Sequence, residues 1–379
     1  MNPPASGSAH ASLRRLGGRT IVITQPYVPA YRVPLFDLLA HRLSEVGGRL
    51  EVHAGAPDGD QGLRADAGHG PWLRELHVSR IPLPGTRVEW RRFDGGAPTG
   101  LLVTELSASN LIAWANVSRR PVVLWGHGRN YVNSPSALAD RLRKRLVSRA
   151  AHVMTYTEGG RGRLIADGAD PGRVTTVGNS TDTAALTRAQ RAITAARLHE
   201  LATEFPGDPI MLFVGGLDAS KRIGFIAAAA EAAHREVSGF HLIVAGFGAQ
   251  ADLLEPGIRD GYISRVGEAR GMRLAELAAL SRAVWMPGRV GLAAVDAMAL
   301  GLPVHTIRHD RHAPEIELLG STDVAFLPDD PTAFAEASLA LAPGTPVGPR
   351  TPSPSTPSLE DVTDAMLTVF ASISPEGLR

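Results

Sequence analysis

A chain of 379 residues with 39 basic and 38 acidic side chains has almost no net charge, which argues against nucleic-acid binding because that function needs a concentrated basic surface. Its length suffices for two domains that each bury a core. The absence of cysteine excludes disulfides, thiolate metal sites and cysteine nucleophiles, and it fits a cytoplasmic protein.

The first half of the chain predicts strands that alternate with helices. Residues 1–18 lack an apolar segment and are expected to be a disordered leader, and no run reaches the roughly 18 apolar residues of a membrane-spanning helix. Strands are predicted in RTIVITQ, LEVHAGA, LLVTEL, PVVLWGHG and HVMTYT, with two shorter ones around Leu73 to Val78 and Arg87 to Phe93. Helices are predicted over residues 33–43, 108–117, 135–150 and 159–167. This alternation implies parallel strands with helices on both faces of the sheet.

Several polar side chains follow strands of this half and would lie at the carboxyl edge of its sheet. His127 stands between two glycines at the end of PVVLWGHG, where a structural hydrogen bond and a contact to substrate are equally consistent with the pattern. Glu158 follows TYT, and Asn179 and Asp182 lie in GNSTD, where turn formation is the simpler role.

The segment from Asp140 to Arg149 carries five basic residues around apolar residues at helical spacing. A solvated helix that packs its apolar stripe on the domain is the slightly favoured interpretation. The alternative is a basic amphipathic surface that contacts anionic lipid headgroups at the inner face of a membrane.

The second half restarts the alternation at IMLFVGG, residues 210–216, after a helical stretch from Ala184 to Phe205 that includes the interdomain connection. HLIVAGFG, YISRVG, AVWMP, LPVHTI and DVAFLP predict the later strands. The predicted domains are therefore residues 19–185 and 186–342. Residues 343–358 form a Pro/Ser/Thr linker, and residues 359–379 contain a last amphipathic helix.

Two turns of the second half are candidate phosphate sites. GGLDASK, residues 215–221, follows a strand and opens a helix, so Lys221 would lie in the first helical turn, although a lysine there is usually a solvated surface charge. Further on, Ala283 to Met286 predicts a buried strand, Pro287-Gly288-Arg289 a break, and Val290 to Leu300 a helix. The N–H groups at this helix start would bind an anion, and Arg289 would add a positive charge.

The predicted helix after the break is almost uncharged but contains one carboxylate, Asp296. It lies one turn after Leu292 and one turn before Ala299, at the margin of the packed face. The paired hydroxyls of a ribose are suitable hydrogen-bond donors to such a carboxylate. A partly solvated aspartate, or one paired with a nearby arginine, is equally consistent with the spacing.

A glycine pattern, G-x-G-x-x-A, begins at Gly246 and includes Gly248, with Glu268 twenty residues beyond. It is the strongest sign of a dinucleotide cofactor. However, this motif should follow the first strand of its domain, and here a strand and helix, residues 210–235, precede it. We therefore interpret the glycines as a turn where backbone approaches a nucleotide, with Arg265 and Val266 beside the base.

With these motifs in this order, nearly the whole chain resembles the retaining GT-B glycosyltransferases of glycosyltransferase family 4, or glycosyl transferases group 1. The carboxylate motif of that family has two glutamates, and Gly288 and Asp296 stand in their places. HAPEIELLG, residues 312–320, resembles the tail of one branch of the family. The Gly-Arg-Leu turn of the family keeps its later lysine here as Lys221 but has Gly216 in place of arginine, so that Arg222 or Arg289 could substitute.

The resemblance implies an α/β fold of the GT-B type, in which two Rossmann-like domains with parallel sheets face an interdomain cleft and the last helix returns to the N-terminal domain. It implies that a sugar moves from a nucleoside-diphosphate sugar to a hydroxyl acceptor with retention, in the biosynthesis of a polysaccharide, glycolipid or glycosylated metabolite. A lipid-linked acceptor would suit the basic segment. No metal or cofactor is expected.

The resemblance also assigns residues to roles. His127 would contact the transferring sugar, Asp296 the ribose, and Asn179 would belong to the hinge segment between the domains. The remaining candidates would bind the nucleotide, and they are Gly216, Lys221, Arg222, Gly246, Gly248, Arg265, Val266, Arg289, Val290, Gly291 and Leu292.

Two other functions remain open from the sequence. The glycine pattern at Gly246 is compatible with an NAD(P)-dependent oxidoreductase. The glycines at positions 216 and 288, where the family has charged residues, are compatible with a sugar-nucleotide-binding protein that has no turnover.

Overall fold

The computed structural model describes residues 12–57, 67–83, 86–93, 99–128, 137–341 and 347–374, and only the backbone of residues 78–83 and 86–90. The chain forms two compact units. The first comprises Met1–Thr181 with Ser358–Arg379, and the second comprises Asp182–Pro357.

The first unit contains, in its described part, an eight-stranded sheet with the order β4-β3-β2-β1-β5-β6-β7-β8. Its strands are β1 Thr20–Gln25, β2 Arg49–Ala54, β3 Leu73–Leu83, β4 Thr86–Phe93, β5 Leu101–Glu105, β6 Val122–Gly126, β7 His152–Thr155 and β8 Val174–Thr176. Its helices are α1 Val33–Ser44, α2 Leu111–Asn116, α3 Ala137–Arg149, α4 Glu158–Ala166 and, from the end of the chain, α12 Leu359–Ser372. All neighbouring strands are parallel except β3 and β4, which form an antiparallel pair longer than the two short strands predicted there.

Apolar side chains cover both faces of the central strands. Ile21 and Ile23 of β1 belong to one buried cluster and Val22 to another, so β1 reads as a continuous apolar run rather than an alternating one. Leu13 and Leu16 are buried in the first cluster, so these two side chains anchor residues 12–18, which are not part of a disordered leader. Their apolar contacts offset the cost of ordering the segment. Residues 1–11 of the predicted leader lie outside the described residues.

The second unit contains, among the residues described, a six-stranded parallel sheet with the order β11-β10-β9-β12-β13-β14. The strands are β9 Ile210–Val214, β10 His241–Ala245, β11 Ile263–Gly267, β12 Val284–Met286, β13 Val304–Ile307 and β14 Val324–Leu327. The helices are α5 Thr183–Arg191, α6 Ala195–Glu204, α7 Ile223–Glu236, α8 Glu255–Arg259, α9 Gly271–Leu280, α10 Ala293–Ala299 and α11 Pro331–Leu341. The stretch predicted as helical from Ala184 to Phe205 is thus two helices, because Thr194 starts the second one with a side-chain cap.

The described part of the Pro/Ser/Thr segment, residues 347–357, follows the surface of the second unit. The N–H of Gly348 donates to the carbonyl of Ala279 at 2.8 Å, and the N–H of Ser353 donates to the carbonyl of Met298 at 2.9 Å. The chain then enters α12, whose Met366 and Phe370 are buried in the same cluster as Phe36 of α1. None of the helices in the described ranges combines the length and apolar character that crossing a bilayer requires.

Candidate functional site

The sheet of the second unit reverses its strand order between β9 and β12. β10 and β11 lie on one side of β9, whereas β12, β13 and β14 lie on the other. In open α/β sheets, ligands bind beyond the carboxyl ends of the strands at such a reversal. The loop after β9 contains Lys221, and the loop after β12 contains Arg289. The sequence analysis predicted both residues as phosphate contacts.

These two loops contact each other directly, through one backbone hydrogen bond and one hydrogen bond from a side chain. The N–H of Arg289 donates to the carbonyl of Ser220 at 2.8 Å, and Lys221 Nζ donates to the carbonyl of Arg289 at 2.5 Å. Gly288 allows this approach, because a Cβ there would lie 2.5 Å from both the carbonyl carbon of Lys221 and the carbonyl oxygen of Ser220. The contact holds the Lys221 ammonium beside the loop that carries Arg289.

Lys221 does not lie in the first turn of a helix, as the sequence predicted. It ends a 3-10 turn, Ala219–Lys221, whose start is capped by Asp218 through a 2.9 Å hydrogen bond from the Ser220 N–H. Arg222 then adopts a left-handed conformation with φ 58°, and α7 begins after it. The capped turn and the left-handed residue turn the chain before α7, which leaves Lys221 in the loop.

The loop after β12 is longer than predicted, and α10 is correspondingly shorter. α10 has 7 residues and begins at Ala293 instead of Val290. Val290 is held in the loop because its N–H donates to His312 Nδ1 at 3.2 Å and its carbonyl accepts from the N–H of Ala313 at 2.9 Å. The N–H groups of Arg289 and Val290 are therefore occupied within the protein, and the prediction that Val290 offers its N–H to a phosphate is wrong. For the N–H groups of Gly291 and Leu292 there is no acceptor in the described part of the chain.

His312 is a structural element of this loop that the sequence pointed to only through the HAPEIELLG segment. Its Nδ1 accepts from Val290, and its Nε2 donates to the carbonyl of Ile307 at 2.8 Å, which is the pattern of a neutral ring. Burial lowers the pKa of His312 to about 4, although the Ile307 carbonyl opposes the shift. The ring stacks on His309 with a centroid separation of 3.8 Å.

Asp296 lies in the first turn of α10 and is half-buried, between the buried Val295 and Ala297. Because the helix begins at Ala293 and not at Val290, Asp296 lies in its first turn instead of its second. Its position one turn after Leu292 is compatible with a contact to a ligand bound at that loop.

The glycines of the G-x-G-x-x-A pattern pack against protein backbone. A Cβ at Gly246 would lie 1.9 Å from the carbonyl oxygen of Gly215, and a Cβ at Gly248 would lie 2.4 Å from that of Leu217. The Leu217 N–H donates to the carbonyl of Phe247 at 2.8 Å. The close backbone approach that these glycines permit is therefore made by the β9 loop, and neither by the nucleotide that we predicted beside them nor by the dinucleotide of the NAD(P) interpretation.

Phe247 is a candidate ligand contact that the sequence analysis did not single out. Its side chain is 58% exposed. The ring stands over Gly267, whose Cβ would lie 3.0 Å from the ring atom Cζ. On neighbouring β11, Arg265 is exposed and Val266 is half-buried against the apolar core. An exposed aromatic ring beside a glycine was the signal available in the sequence GFG.

Arg222 and Arg289 differ in what they already contact. Arg222 Nη2 donates to Asp329 Oδ1 at 2.6 Å, and its guanidinium lies 4.5 Å from the centroid of the Phe225 ring. Arg289 is half-buried, and within the described ranges its guanidinium pairs with no carboxylate. Within the described ranges the guanidinium of Arg289 is thus the less engaged of the two, since that of Arg222 is held by Asp329.

The first unit places His127 at the carboxyl end of β6. The imidazole is half-buried and meets Tyr156 edge to face at a centroid separation of 4.8 Å. The following Gly128 has φ 74° and packs on the backbone of Gly160, so the end of β6 is fixed against α4. Asn179 is 5% exposed, also in this unit.

Asp182 begins the second unit and caps α5, because its Oδ1 accepts from the N–H of Ala185 at 2.8 Å. This is the local role that its residue type favours. No group of three or more His, Asp or Glu side chains in the described segments could hold a metal ion.

Comparison with known proteins identifies one family model. Residues 208–342 match the family described as glycosyl transferases group 1, and this range includes both loops at the reversal. No curated protein sequence matches the chain.

Solved structures resemble nearly the whole chain at low sequence identity. Alr3699/HepE of Anabaena in complex with UDP-glucose has a TM-score of 0.58 and 14% identity, over 92% of this chain and 94% of that one. Sucrose-phosphate synthase (tll1590) from Thermosynechococcus elongatus has a TM-score of 0.60 and 16% identity, with the same coverage of 92% and 94%. UDP-GlcNAc 2-epimerase from Neisseria meningitidis bound to UDP-GlcNAc has a TM-score of 0.58 and 14% identity, over 92% and 99%. The likeness shows the fold, an α/β architecture of GT-B type with two parallel-sheet domains.

Proposed function

We propose that this protein is a glycosyltransferase that moves a sugar from a nucleoside-diphosphate sugar to a hydroxyl acceptor with retention of the anomeric configuration. The single observation that carries the proposal is the contact between the β9 and β12 loops, which holds Lys221 beside Arg289 at the strand-order reversal. The family match over residues 208–342 supports it, since that range contains both loops. HepE, a structure of similar fold, binds UDP and UDP-glucose.

In this proposal the second unit binds the nucleotide. The diphosphate binds Lys221, Arg289 and the N–H groups of Gly291 and Leu292, because two cations and two donors that have no acceptor among the described residues suit its oxygens. Asp296 accepts hydrogen bonds from the ribose hydroxyls. The base lies against Phe247, with Arg265 and Val266 beside it.

The chemistry follows from stabilisation of the leaving group. The bond between the anomeric carbon and the diphosphate oxygen breaks, and the positive charges of Lys221 and Arg289 stabilise the charge that develops on that oxygen. The bond to the acceptor oxygen forms on the same face of the sugar, and the acceptor proton passes to the departing phosphate. His127 would contact the transferring sugar. No side chain is assigned as a covalent nucleophile, which is why front-face attack is proposed.

A calorimetric titration tests the nucleotide site. UDP, GDP, dTDP and NADH are titrated into the full chain, and at least one nucleoside diphosphate is expected to bind while NADH does not. If NADH binds tightly and no nucleoside diphosphate binds, the proposal is overturned and the result favours an NAD(P)-dependent oxidoreductase.

A second measurement separates a transferase from a binding protein. Release of nucleoside diphosphate from a panel of sugar nucleotides is followed with and without an acceptor extract, and the anomeric configuration of the product is read by proton NMR. Acceptor-dependent release with retention is expected. Binding without release would instead favour the non-catalytic sugar-nucleotide-binding alternative.

A further part of the proposal is that the protein is cytoplasmic and contacts the inner face of a membrane that holds a lipid-linked acceptor. The exposed face of α3 supports this part. Leu138 is 66% and Leu142 38% exposed. Arg141, Arg145 and Arg149 repeat at four-residue spacing on the same face, and no ion pair of theirs is found among the described residues.

The other cations of α3 are already paired. Arg143 and Lys144 bind both Asp140 and Asp167. The exposed leucines and the three remaining arginines match the apolar and anionic layers of a bilayer surface. An open groove of about 550 Å³ runs beside them, between α3 and the turn after α4, and could receive a headgroup.

A further inference from the structure

Arg32 is the arginine of the described chain that is almost completely buried, with 6% exposure. It ends the 3-10 turn Ala30–Arg32, which follows β1 and leads into α1. The ionisable groups that affect its pKa are the phenols of Tyr156 and Tyr31, and no carboxylate is among them. A guanidinium stays protonated at every physiological pH, so Arg32 is a buried positive charge without an anionic partner in the described part of the protein.

The neighbours of Arg32 leave hydrogen-bond donors without acceptors. Arg32 Nη2 donates to the phenol oxygen of Tyr156 at 2.9 Å, and the guanidinium lies 4.3 Å from the centroid of the Trp125 ring. Among the described residues, no acceptor lies within hydrogen-bond reach of the buried Arg32 Nη1, and the same holds for Trp125 Nε1. Arginine and the indole N–H can only donate, so the two vacant donors require oxygen acceptors from outside this cluster.

Two other arginines have oxygen partners of kinds that Arg32 lacks among the described residues, carbonyls in one case and carboxylates in the other. Arg350 in the second unit has its guanidinium hydrogens accepted by the carbonyls of Ala278 at 2.9 Å and Ser281 at 2.6 Å. Arg143 contacts two carboxylates. Around the Arg32 guanidinium stand the phenol oxygens of Tyr156 and Tyr31 and aromatic faces, Trp125 among them. These groups stabilise a cation but are neutral at physiological pH, so they provide no counter-charge for the guanidinium.

The cluster lies where ligands of α/β sheets bind. Arg32 follows β1, Trp125 lies at the carboxyl end of β6, and Tyr156 follows β7, so all three stand at the carboxyl edge of one parallel sheet. Tyr31 is half-buried and its ring lies 5.3 Å from the guanidinium of Arg32. It is the side chain that an entering group would displace.

We propose that Arg32 and Trp125 form an oxyanion site in the first unit, which binds a phosphate or carboxylate group of the acceptor. The oxyanion supplies the missing charge and accepts hydrogen bonds from Arg32 Nη1 and Trp125 Nε1. A water molecule would satisfy the donors but not the charge. The assignment of the anion to the acceptor rests on the proposed transferase activity, whereas binding of an oxyanion at Arg32 does not.

The site is tested on the full chain labelled with ¹⁵N-tryptophan, because 5 tryptophans give few indole signals and one of them belongs to the cluster. Trp125→Phe identifies that signal. Methyl phosphate, inorganic phosphate and glucuronate are titrated at constant ionic strength against sodium chloride. A saturable shift of the Trp125 signal is expected for an oxyanion and not for chloride, and the stronger ligand tells phosphate from carboxylate.

Variants separate this site from the nucleotide site. Arg32→Gln should weaken the oxyanion-dependent shift at least tenfold, whereas Arg350→Gln, which removes a half-buried guanidinium of the second unit, should preserve it. Lys221→Ala should lower nucleotide affinity and leave the Trp125 shift unchanged. A failure of the proposed nucleotide site would therefore be distinguished from a failure of the oxyanion site. If Arg32→Gln does not fold, Trp125→Phe is compared with wild type for stabilisation by phosphate in thermal unfolding, and a smaller stabilisation is expected.

The inference is overturned if the Trp125 signal does not move with any oxyanion, if chloride moves it equally, or if the shift is unchanged in Arg32→Gln. In the thermal assay, equal stabilisation of Trp125→Phe and wild type by phosphate would also overturn it.

Discussion

Lys221 Nζ lies 2.5 Å from the carbonyl oxygen of Arg289, a residue 68 positions further along the chain. This hydrogen bond joins the loops that leave the two strands at the reversal of the second sheet. It directs the lysine charge toward the loop that carries Arg289. The lysine therefore has two effects, since it positions a loop and contributes to the positive field of the candidate diphosphate site.

Lys221→Ala is expected to weaken nucleoside diphosphate binding by about 10- to 100-fold, which corresponds to the loss of one charge-assisted hydrogen bond. Lys144→Ala is the matched control, because Lys144 and Lys221 are the two lysines of the sequence and Lys144 lies on α3 in the first unit. Calorimetry measures both. Equal affinities of wild type and Lys221→Ala would contradict the diphosphate assignment.

The same pair of lysines permits a chemical test. Reductive methylation of the native protein, read by peptide mass spectrometry, should modify Lys144 at the same rate with and without nucleotide. Lys221 should be protected by bound nucleoside diphosphate. Unchanged labelling of Lys221 at saturating nucleotide would place the ligand elsewhere.

Gly288→Ala is expected to destabilise the β12 loop, because its Cβ would lie 2.5 Å from backbone atoms of Ser220 and Lys221. Overpacking of this kind costs about 1–3 kcal/mol and should lower both the melting temperature and the nucleotide affinity. Gly291→Ala is the control in the same loop, since its Cβ would meet Ala313 at an ordinary 3.9 Å. Equal melting temperatures for the two variants would show that the loops can separate without cost.

Phe247→Ala is expected to lower the affinity for a nucleoside diphosphate by about 1–3 kcal/mol if the base stacks on the exposed ring. Binding of pyrophosphate, which has no base, should not change. Leu253→Ala removes another exposed apolar side chain, 47% exposed, and serves as the control. The proposal for Phe247 fails if pyrophosphate and nucleotide lose affinity to the same extent.

The stability of the protein should fall in acid through His312. Its folded-state pKa is about 4 because of burial, below the ordinary value of 6.5, so the unfolded chain binds a proton between these values that the folded chain does not. The free energy of unfolding therefore decreases as the pH falls from about 6.5 to about 4, by on the order of 3 kcal/mol from this residue.

Urea unfolding of wild type and His312→Asn at about pH 5 and about pH 7.5 measures the effect. The asparagine oxygen can still accept from the Val290 N–H, so the variant should unfold at a similar urea concentration at the higher pH and lose less stability at the lower one. The same loss in both proteins would remove His312 as a cause of acid sensitivity.

Membrane contact through α3 predicts binding to anionic vesicles that depends on its arginines. Replacement of Arg141, Arg145 and Arg149 by glutamine should reduce partitioning into phosphatidylglycerol vesicles by roughly fivefold per charge, since a basic residue near an anionic surface contributes about 1 kcal/mol. Binding to phosphatidylcholine vesicles should be weak for every variant.

The control for this experiment removes three exposed arginines from other parts of the same unit, Arg49, Arg119 and Arg173. If the general positive charge drives binding, the two triple variants will lose affinity equally. A loss confined to the α3 variant supports the surface proposed here.

Much of the fold could be predicted because short, largely apolar runs of four to six residues, such as Ile210–Val214 and His241–Ala245, indicate buried strands by their composition alone. Element ends were less predictable. α10 begins at Ala293 and not at Val290 because His312, from a distant segment, takes the Val290 N–H. A pattern of neighbouring residues contains no information about a side chain from a distant segment that accepts this hydrogen bond.

For the candidate site, the sequence predicted which loops contain the ligand-binding residues but not how those loops contact each other. Lys221 and Arg289 could be singled out by their positions after strands, but their mutual contact depends on β9 and β12 being neighbours. The glycines at 246 and 248 were interpreted as a turn where backbone approaches a nucleotide, whereas the neighbouring β9 loop occupies the space they leave.

The order of residues by itself determined the alternation of strands and helices, and hence the class of fold, because burial and helical or extended periodicity are properties of short windows. Only the tertiary structure decided which loops meet, which donors are already used and which charges are buried. Arg32 and Tyr156 are 124 positions apart and form a hydrogen bond, because sheet order brings the ends of β1, β6 and β7 to one edge.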